Sequence, residues 1–462
     1  MALSVDETKV FTELADELGR AVPKLDRADR YYDGAQVLEQ LGLAIPEDLL
    51  RFTVCVNYPR WGVDGIHERQ SVKGLKFAGD ESSNQELWDL WKANDLPAQS
   101  RLGFLDALVY GRSYLCVGMG DDGLPRITVE SPRNMIVKRD MRTGKVAAAL
   151  RLYGGSELDG MRPMYATLYL PNETVWLSRD GRWIVDDRDE HGVGEVGVFP
   201  MYNRRRLMTP PHRTLQGVSE MEDLIDITDS AARNLTNAQV AQETHAVPQR
   251  GVLGATKGDF VGEDGKPLTT WEAYFGAVWA LGNKDAKTFQ FDATDMSNFE
   301  RMDTLYARKA AAAAAAPPNE FGLPADDAAS ADAIRSRETR RNKRIESKNE
   351  ELSSDIRDAF RHALRLRDGD WSDEARRIEV LWNDPATPTK AQQVDAAVKL
   401  WQSRVLPLEA VWEELGYGPE KITRLKEMQE RERAGSYAAI MQNMTDEGAL
   451  DVAVGAGASE GA

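Results

Sequence analysis

The sequence predicts an α+β fold: a mixed N-terminal region, then long helices, closed by one late strand. Three observations carry this. Short runs rich in β-branched and aromatic residues lie between Arg112 and Asp186, separated by turn signals such as Thr143-Gly144 and Asp180-Gly181. Helical periodicity takes over from about Val218. An isolated strand pattern, "RRIEVLWND" at Arg376 to Asp384, then has no sequence neighbour to pair with. It must return to a sheet made earlier, and the N-terminal one is expected.

The elements follow in order. Ser4 and Glu7 form a capping-box pattern ahead of Val10, Phe11, Leu14 and Leu18, which recur at helical spacing. Further helical segments are expected around Pro46 to Asn57, Tyr58 to Arg69 and Gln85 to Asn94. The strands "RSYLCVGM", "PRITVE", "VAAALRLY", "MYATLYL", "TVWLS" and "RWIVD" read as one antiparallel sheet, completing an α+β domain over residues 1–215. From Val218 to His245, Met221, Leu224, Ile225, Thr228, Ala231, Ala232, Leu235 and Ala238 trace one helix face, a rod of about 40 Å. Ala246 to Phe291 breaks into short glycine-punctuated pieces, an insertion between two helices.

The second rod is expected from Asp295 to Ala316, carried by seven alanines from Ala310. Pro317 and Pro318 stop it, since the residue before a proline is pushed out of the α region. A loop runs to Ala329, and Ser330 caps a long helix with a thin stripe at Ile334, Ile345, Leu352, Ile356, Phe360 and Leu364. A stripe so thin needs partner helices. After the late strand come helical segments at Thr389 to Arg404, Pro407 to Leu415 and Pro419 to Arg433, then a small, acidic tail expected to be flexible. There is no internal repeat.

Composition narrows the function. The 462 residues suffice for two to four compact regions, and 58 basic against 75 acidic side chains give a net charge of −17. That excludes a surface built throughout to grip phosphate. Cys55 and Cys116 have no metal or disulfide spacing, so a reducing compartment is expected. The N-terminus has no signal-peptide core, and the longest apolar run, Leu102 to Gly120, is broken by Asp106 and Arg112, so neither export nor a membrane span is expected.

Catalytic motifs are absent. "GEDGKP" has Pro267 where a phosphate-binding loop needs Ser or Thr for magnesium. The histidines are scattered, no GxSxG or Cys/His pair suggests a nucleophile, and the acidic run Asp186 to Glu190 reads as a solvated loop. No metal, cofactor or catalytic residue is expected. The stretch Arg335 to Lys348 carries an excess of five positive charges. It faces either phosphates, through Arg335, Arg340 and Arg344, or acidic groups on neighbouring helices. Trp88 with Trp91, and Trp271 with Trp279, read as packing anchors.

This order of elements resembles the portal proteins of tailed bacteriophages, the head-to-tail connectors, in particular those of siphophages with actinobacterial hosts. The matching stretches are "YYDGAQVLEQLGLAIPEDL" at Tyr31, "VNYPRWGVDGIHER" at Val56, "GRSYLCVG" at Gly111, "ITVESPRNMIV" at Ile127, "SADAIRSRE" at Ser330 and "AQQVDAAVKLW" at Ala391. The resemblance implies a portal-type fold: a wing (1–215 with 368–388), stem helices (216–245 and 293–316), a small α/β clip (246–292), a tunnel loop (317–329), a long helix (330–367), a crown (389–434) and a tail (435–462).

It further implies a homo-oligomeric ring of twelve at one capsid vertex of the virion, assembled in the host cytoplasm and threaded by double-stranded DNA. The implied partners are the terminase large subunit, the major capsid protein and a head-completion or adaptor protein. The residues implied are Pro317, Pro318, Asn319, Glu320, Phe321, Asp326 and Asp327 lining the channel. Ala310, Ala313, Ala316, Leu224, Ala231 and Leu235 would pack the stem, and Lys257, Lys266, Trp271 and Lys284 would dock partners on the clip. Two other readings stay open: a phage DNA-processing enzyme using the acidic loops and the basic patch, and a head-assembly protein without a channel.

Overall fold

The computed structural model describes residues 2–36, 54–80, 82–120, 122–155, 162–207, 216–245, 250–254, 285, 287–290, 295–324, 331–386 and 390–432. Helix α1, Val5–Asp33, begins with the capping box the sequence shows, Ser4 N–H donating to Glu7 at 2.7 Å and Glu7 N–H to Ser4 Oγ at 3.3 Å. It ends at Gly34, whose φ of 71° is the left-handed conformation glycine supplies. Its buried residues Phe11, Leu14 and Leu18 lie on Ile136, Leu150, Leu168 and Leu177 of a five-stranded sheet. Glu13 pairs with Lys138, and Glu7, held down to about 2 by Arg188, fixes the other end.

The strands form two main antiparallel sheets, not the single one expected. β4 (Met135–Arg139), β5 (Val146–Tyr153), β6 (Tyr165–Tyr169), β7 (Thr174–Asp180) and β8 (Arg182–Asp189) make a meander in that order. β2 (Arg112–Met119) stands between β3 (Pro125–Glu130) and β9 (Val198–Tyr202) in the other. The late strand β12, Ile378–Trp382, joins neither. It pairs antiparallel with β1, Val72–Phe77, Leu75 opposite Val380, in the stretch between the helical segments expected at Tyr58 to Arg69 and Gln85 to Asn94.

Helices α3 (Gln85–Ala93) and α4 (Leu96–Tyr110) pack on these sheets, and α2 (Tyr58–His67) packs against α1 and α4. Trp88 stacks on Trp91, and the buried Trp91 stacks on Phe360, so this pair anchors the core. Phe360 belongs to α7, the 38-residue helix Ala331–Asp368, whose Leu352, Ile356, Phe360 and Leu364 are buried. The partners that satisfy its thin stripe are largely strands β2, β3, β9 and β12, where helices were expected. At the C-terminal side α8 (Lys390–Gln402), α9 (Leu408–Glu414) and a helix over residues 419–432 follow the predicted segments. They dock on the α3 region through Lys92–Glu420 and through Ser83 N–H donating to Glu413 at 2.6 Å.

Candidate functional site

Helices α5 (Glu222–His245) and α6 (Ser297–Ala313) run antiparallel, α5 beginning four residues later than its periodicity suggests. The reason lies in residues 217–220, whose backbone is committed elsewhere: Val218 N–H donates to Asn203 at 3.0 Å and Glu220 N–H to Leu108 at 2.8 Å. Gly217 crosses Gly111 so closely that a Cβ on it would sit 2.0 Å from the Gly111 carbonyl oxygen. Both glycines have positive φ, 88° and 86°, so no other residue fits either strand of this crossing.

The seam between the two helices is made of small residues. Leu224 and Ala231 meet Ala307, Ala310, Ala311 and Ala314 in one buried cluster closed by Tyr58. Asn234 Nδ2 donates across it to the Phe299 carbonyl at 3.0 Å. Ala313 and Ala316 are half-buried at its edge, and Leu235, also half-buried, lies outside the cluster. The alanine run therefore closes against its own chain first, with Ala312 left exposed.

The helix ends three residues before the position the prolines dictate. Ala316 N–H donates to Ala311 at 2.9 Å and Ala315 N–H to Ala312 at 3.3 Å, with Ala315 at φ 56°. This is the paired-bond helix stop that usually carries glycine at the left-handed position, here built on alanine. Pro317 then extends, and Pro318–Phe321 forms a single 3₁₀ turn closed by Gly322 at φ 77°. Phe321 is 2% exposed, packed 5.7 Å from the rings of both Tyr58 and Trp61. Pro317 is buried too, so these two hold the loop, whereas Pro318 and Asn319 are exposed. Asp326 and Asp327 lie outside the described residues, as do Lys257, Lys266, Trp271 and Lys284 of the insertion, whose base is the strand pair β10 (Arg250–Leu253) and β11 (Lys287–Gln290).

The basic stretch of α7 turns inward beneath this loop. Arg341 is fully buried and ion-paired with Glu320, which also lies 3.7 Å from Arg69. Burial, with Arg69 and Arg344 nearby, lowers the Arg341 guanidinium to about 10, so it stays charged at neutral pH. Gly65 of α2 makes the space: a Cβ there would meet the guanidinium at 2.8 Å. One turn further, Arg344 pairs with Glu220 at 2.5 Å and donates to the Ala313 carbonyl at 2.9 Å, bracing the end of α6. Lys348 pairs with the same Glu220 at 2.8 Å and donates to Asn203. Burial raises the Glu220 carboxyl, but Lys348 and Arg344 outweigh it and hold it below its ordinary range.

Thus Arg344, one of three arginines expected to face phosphate, stands in an internal ion pair; Arg340 is exposed, and the Arg335 side chain lies outside the described residues. Sequence reasoning did not find Glu220, Arg69 or Gly65. The one signal available was the close spacing of Gly62 and Gly65 within a helical pattern, which marks a close approach. A Cβ on Gly62 would meet Leu224 at 2.5 Å.

The acidic run reads on into β8, where Arg188 is held by Glu7 and Glu173 and Asp186 accepts from Ser178. Among the described residues no group of three or more His, Cys, Asp or Glu is placed to hold a metal, and no helix is long and apolar enough to cross a membrane. What the assembly does is mechanical: it fixes a short loop, through an aromatic clasp and a buried ion pair, to the end of one helix and the flank of another.

Residues 13–435 match the family described as phage portal protein, SPP1 Gp6-like. A portal protein of Mycobacterium phage D29 is 35% identical over 418 residues, spanning 87% of this chain and 84% of its own length. A portal protein of Mycobacterium phage L5 is 34% identical over 443 residues, spanning 93% and 90%. Among solved structures, a chain from the neck of a native GTA particle computed with C12 symmetry is 16% identical with a TM-score of 0.44, over 81% of this chain and 93% of that one. A chain from the neck of an empty GTA particle computed with C6 symmetry gives 16% and 0.47, over 82% and 95%.

Proposed function

The chain belongs to the SPP1 Gp6-like family of phage portal proteins, and from that premise we propose that twelve copies form a ring at one capsid vertex through which double-stranded DNA is packaged and ejected. The observation that carries this reading is the family match over 13–435, supported by identity to two phage portal proteins along most of their length. The role is structural, with no catalytic step asked of the chain.

In this reading residues 1–215 with 368–388 are the wing, 216–245 and 293–316 the stem, 246–292 the clip that docks the terminase large subunit and later a head-completion protein, and 389–434 the crown. The major capsid protein surrounds the ring, which assembles in the host cytoplasm. The loop over 317–329 faces the channel through Pro318, Asn319 and the acidic pair Asp326 and Asp327, while Phe321 and Glu320 hold it from behind. Support for that division comes from the inward turn of Arg341, Arg344 and Lys348, whose charges are taken up by Glu320 and Glu220 instead of facing the loop's approach.

Native mass measurement with negative-stain microscopy tests the ring. Twelve copies of the 51.4 kDa chain weigh about 617 kDa. A stable monomer at high concentration would sink the reading. Channel placement is tested by changing Asp326 and Asp327 together to lysine, which should leave rings intact and reduce DNA packaged per capsid; unchanged packaging removes these residues from the channel.

A further inference from the structure

A cleft of about 260 Å³ opens between α1, the C-terminal end of α4 and the approach to α5, beside the crossing of Gly111 and Gly217. Its charged lining is Arg20, Lys24, Arg27 and Arg112 against a single carboxylate, Glu222. The α1 cations recur at helical spacing, so they line one edge of the cleft, and all three are exposed to solvent.

Arg112 is different. It is the first residue of β2, only 5% exposed, and its Nε has no hydrogen-bond partner among the described residues. It reaches Tyr114 by charge and by a side-chain hydrogen bond, and its charge attracts the Glu17 carboxylate. Yet among the described residues it makes no ion pair, unlike the other deeply buried cations Arg341 and Lys348, which each hold a glutamate. A guanidinium taken out of water needs a counter-charge, and here Glu17 and Glu222 stand against Arg112 and three more cations.

We propose that this cleft binds a free, compact, multivalent oxyanion of phosphate type, with Arg112 at the inner wall and Lys24 and Arg27 at the mouth. The volume is below that of pockets for drug-sized ligands but ample for a pyrophosphate-sized anion. The depth of Arg112 favours a free anion over a phosphate carried on a duplex, whose rigid backbone cannot follow into so narrow a space. A bound anion ties α1 to the approach of α5 and so clamps the N-terminal region to the stem seam.

The test is calorimetric titration of the full-length protein with pyrophosphate at fixed ionic strength, with thermal unfolding alongside. One saturable site per chain and a rise in unfolding temperature are expected. Lys24→Gln and Arg27→Gln should each weaken binding by about tenfold, the worth of a charge-assisted hydrogen bond. The exposed Arg142→Gln, on the β4–β5 hairpin and outside the cleft's lining, should leave it unchanged. Arg112→Gln should abolish binding, and because that variant removes a buried group, the two exposed variants carry the test independently. Absence of saturable binding at millimolar pyrophosphate, or an equal loss from Arg142→Gln, overturns the site. Displacement of pyrophosphate by a short DNA duplex overturns the free-anion source in favour of a backbone phosphate.

Discussion

Removing the Glu320 carboxylate should release the loop it belongs to. In Glu320→Ala, Arg341 remains fully buried under Gly65 without an ion-pair partner, with Arg69 and Arg344 repelling it more strongly than Glu68 attracts it. Breaking a buried pair by deleting one partner costs about 3–5 kcal/mol. The Glu320 side chain keeps 29% of its surface exposed, so screening reduces this to about 2–4 kcal/mol. The cheapest relief is for the turn Pro318–Phe321 to lift, admitting water to Arg341. Opening should therefore become roughly thirty- to a thousandfold more frequent.

Hydrogen exchange read by mass spectrometry on assembled protein measures this at the amides of Glu320 and Gly322, bonded within the loop, and of Ala315 and Ala316, bonded back to the last turn of α6. Arg341→Met removes the charge that needs pairing and should open the loop far less. Combining it with Glu320→Ala should recover most of the lost protection. Less than a tenfold change in Glu320→Ala, or equal effects from the two single variants, would refute the claim that an uncompensated buried arginine drives the opening.

Gly111→Ala should prevent soluble folding, because its φ is 86° and the new Cβ would lie 2.7 Å from the Val218 nitrogen; Gly144→Ala, at φ 71° with open space around it, should cost only about 1 kcal/mol in thermal unfolding. Ala315→Gly should stabilise the chain by about 0.5–1 kcal/mol by relieving the left-handed alanine, and a lower unfolding temperature would count against strain there. Burial raises the Asp355 carboxyl to about 7 against the pull of Arg205. The folded state then keeps a proton that the unfolded chain releases near 3.8, so this group's contribution falls as pH rises from about 4 to 7 and is flat above, by at most about 4 kcal/mol. Asp355→Asn should remove that slope, and parallel unfolding profiles for wild type and variant across that window would show the shift is absent.

Local signals were the legible ones. Ser4 with Glu7, and the turn signals at Gly144 and Gly181, placed α1 and the β5 to β8 strands because each is decided by residues within one turn or hairpin. Strand β9, "VFPMY", was missed because Pro200 demotes a strand reading, and β1, "VKGLKF", because Gly74 interrupts its pattern. The division into two sheets, and the pairing of Leu75 with Val380, depend on contacts across most of the chain and leave no local trace. At the candidate site the alanine helix and its proline stop were readable. That the stop falls at Ala313, and that Phe321 turns inward, required Tyr58, Trp61 and Arg344 to be in place.

The basic stretch shows why composition alone misjudges an interface. Its excess of five charges offers two uses, gripping phosphate or bracing the fold, and periodicity cannot separate them. Position does. Arg341, Arg344 and Lys348 recur at helical spacing on the face of α7 that packs beneath the loop and the start of α5, so their cost of desolvation falls on the folded chain. Glu320 and Glu220 offset it, and in doing so tie two separate segments to one helix. Among the described side chains of the stretch only Arg340 and Lys343 are left outward, in a chain carrying −17. In the proposed ring of twelve, with about −200 charges in all, DNA would meet a surface that repels its backbone, and Arg344, one of the three arginines expected to face it, would be supporting the wall from within.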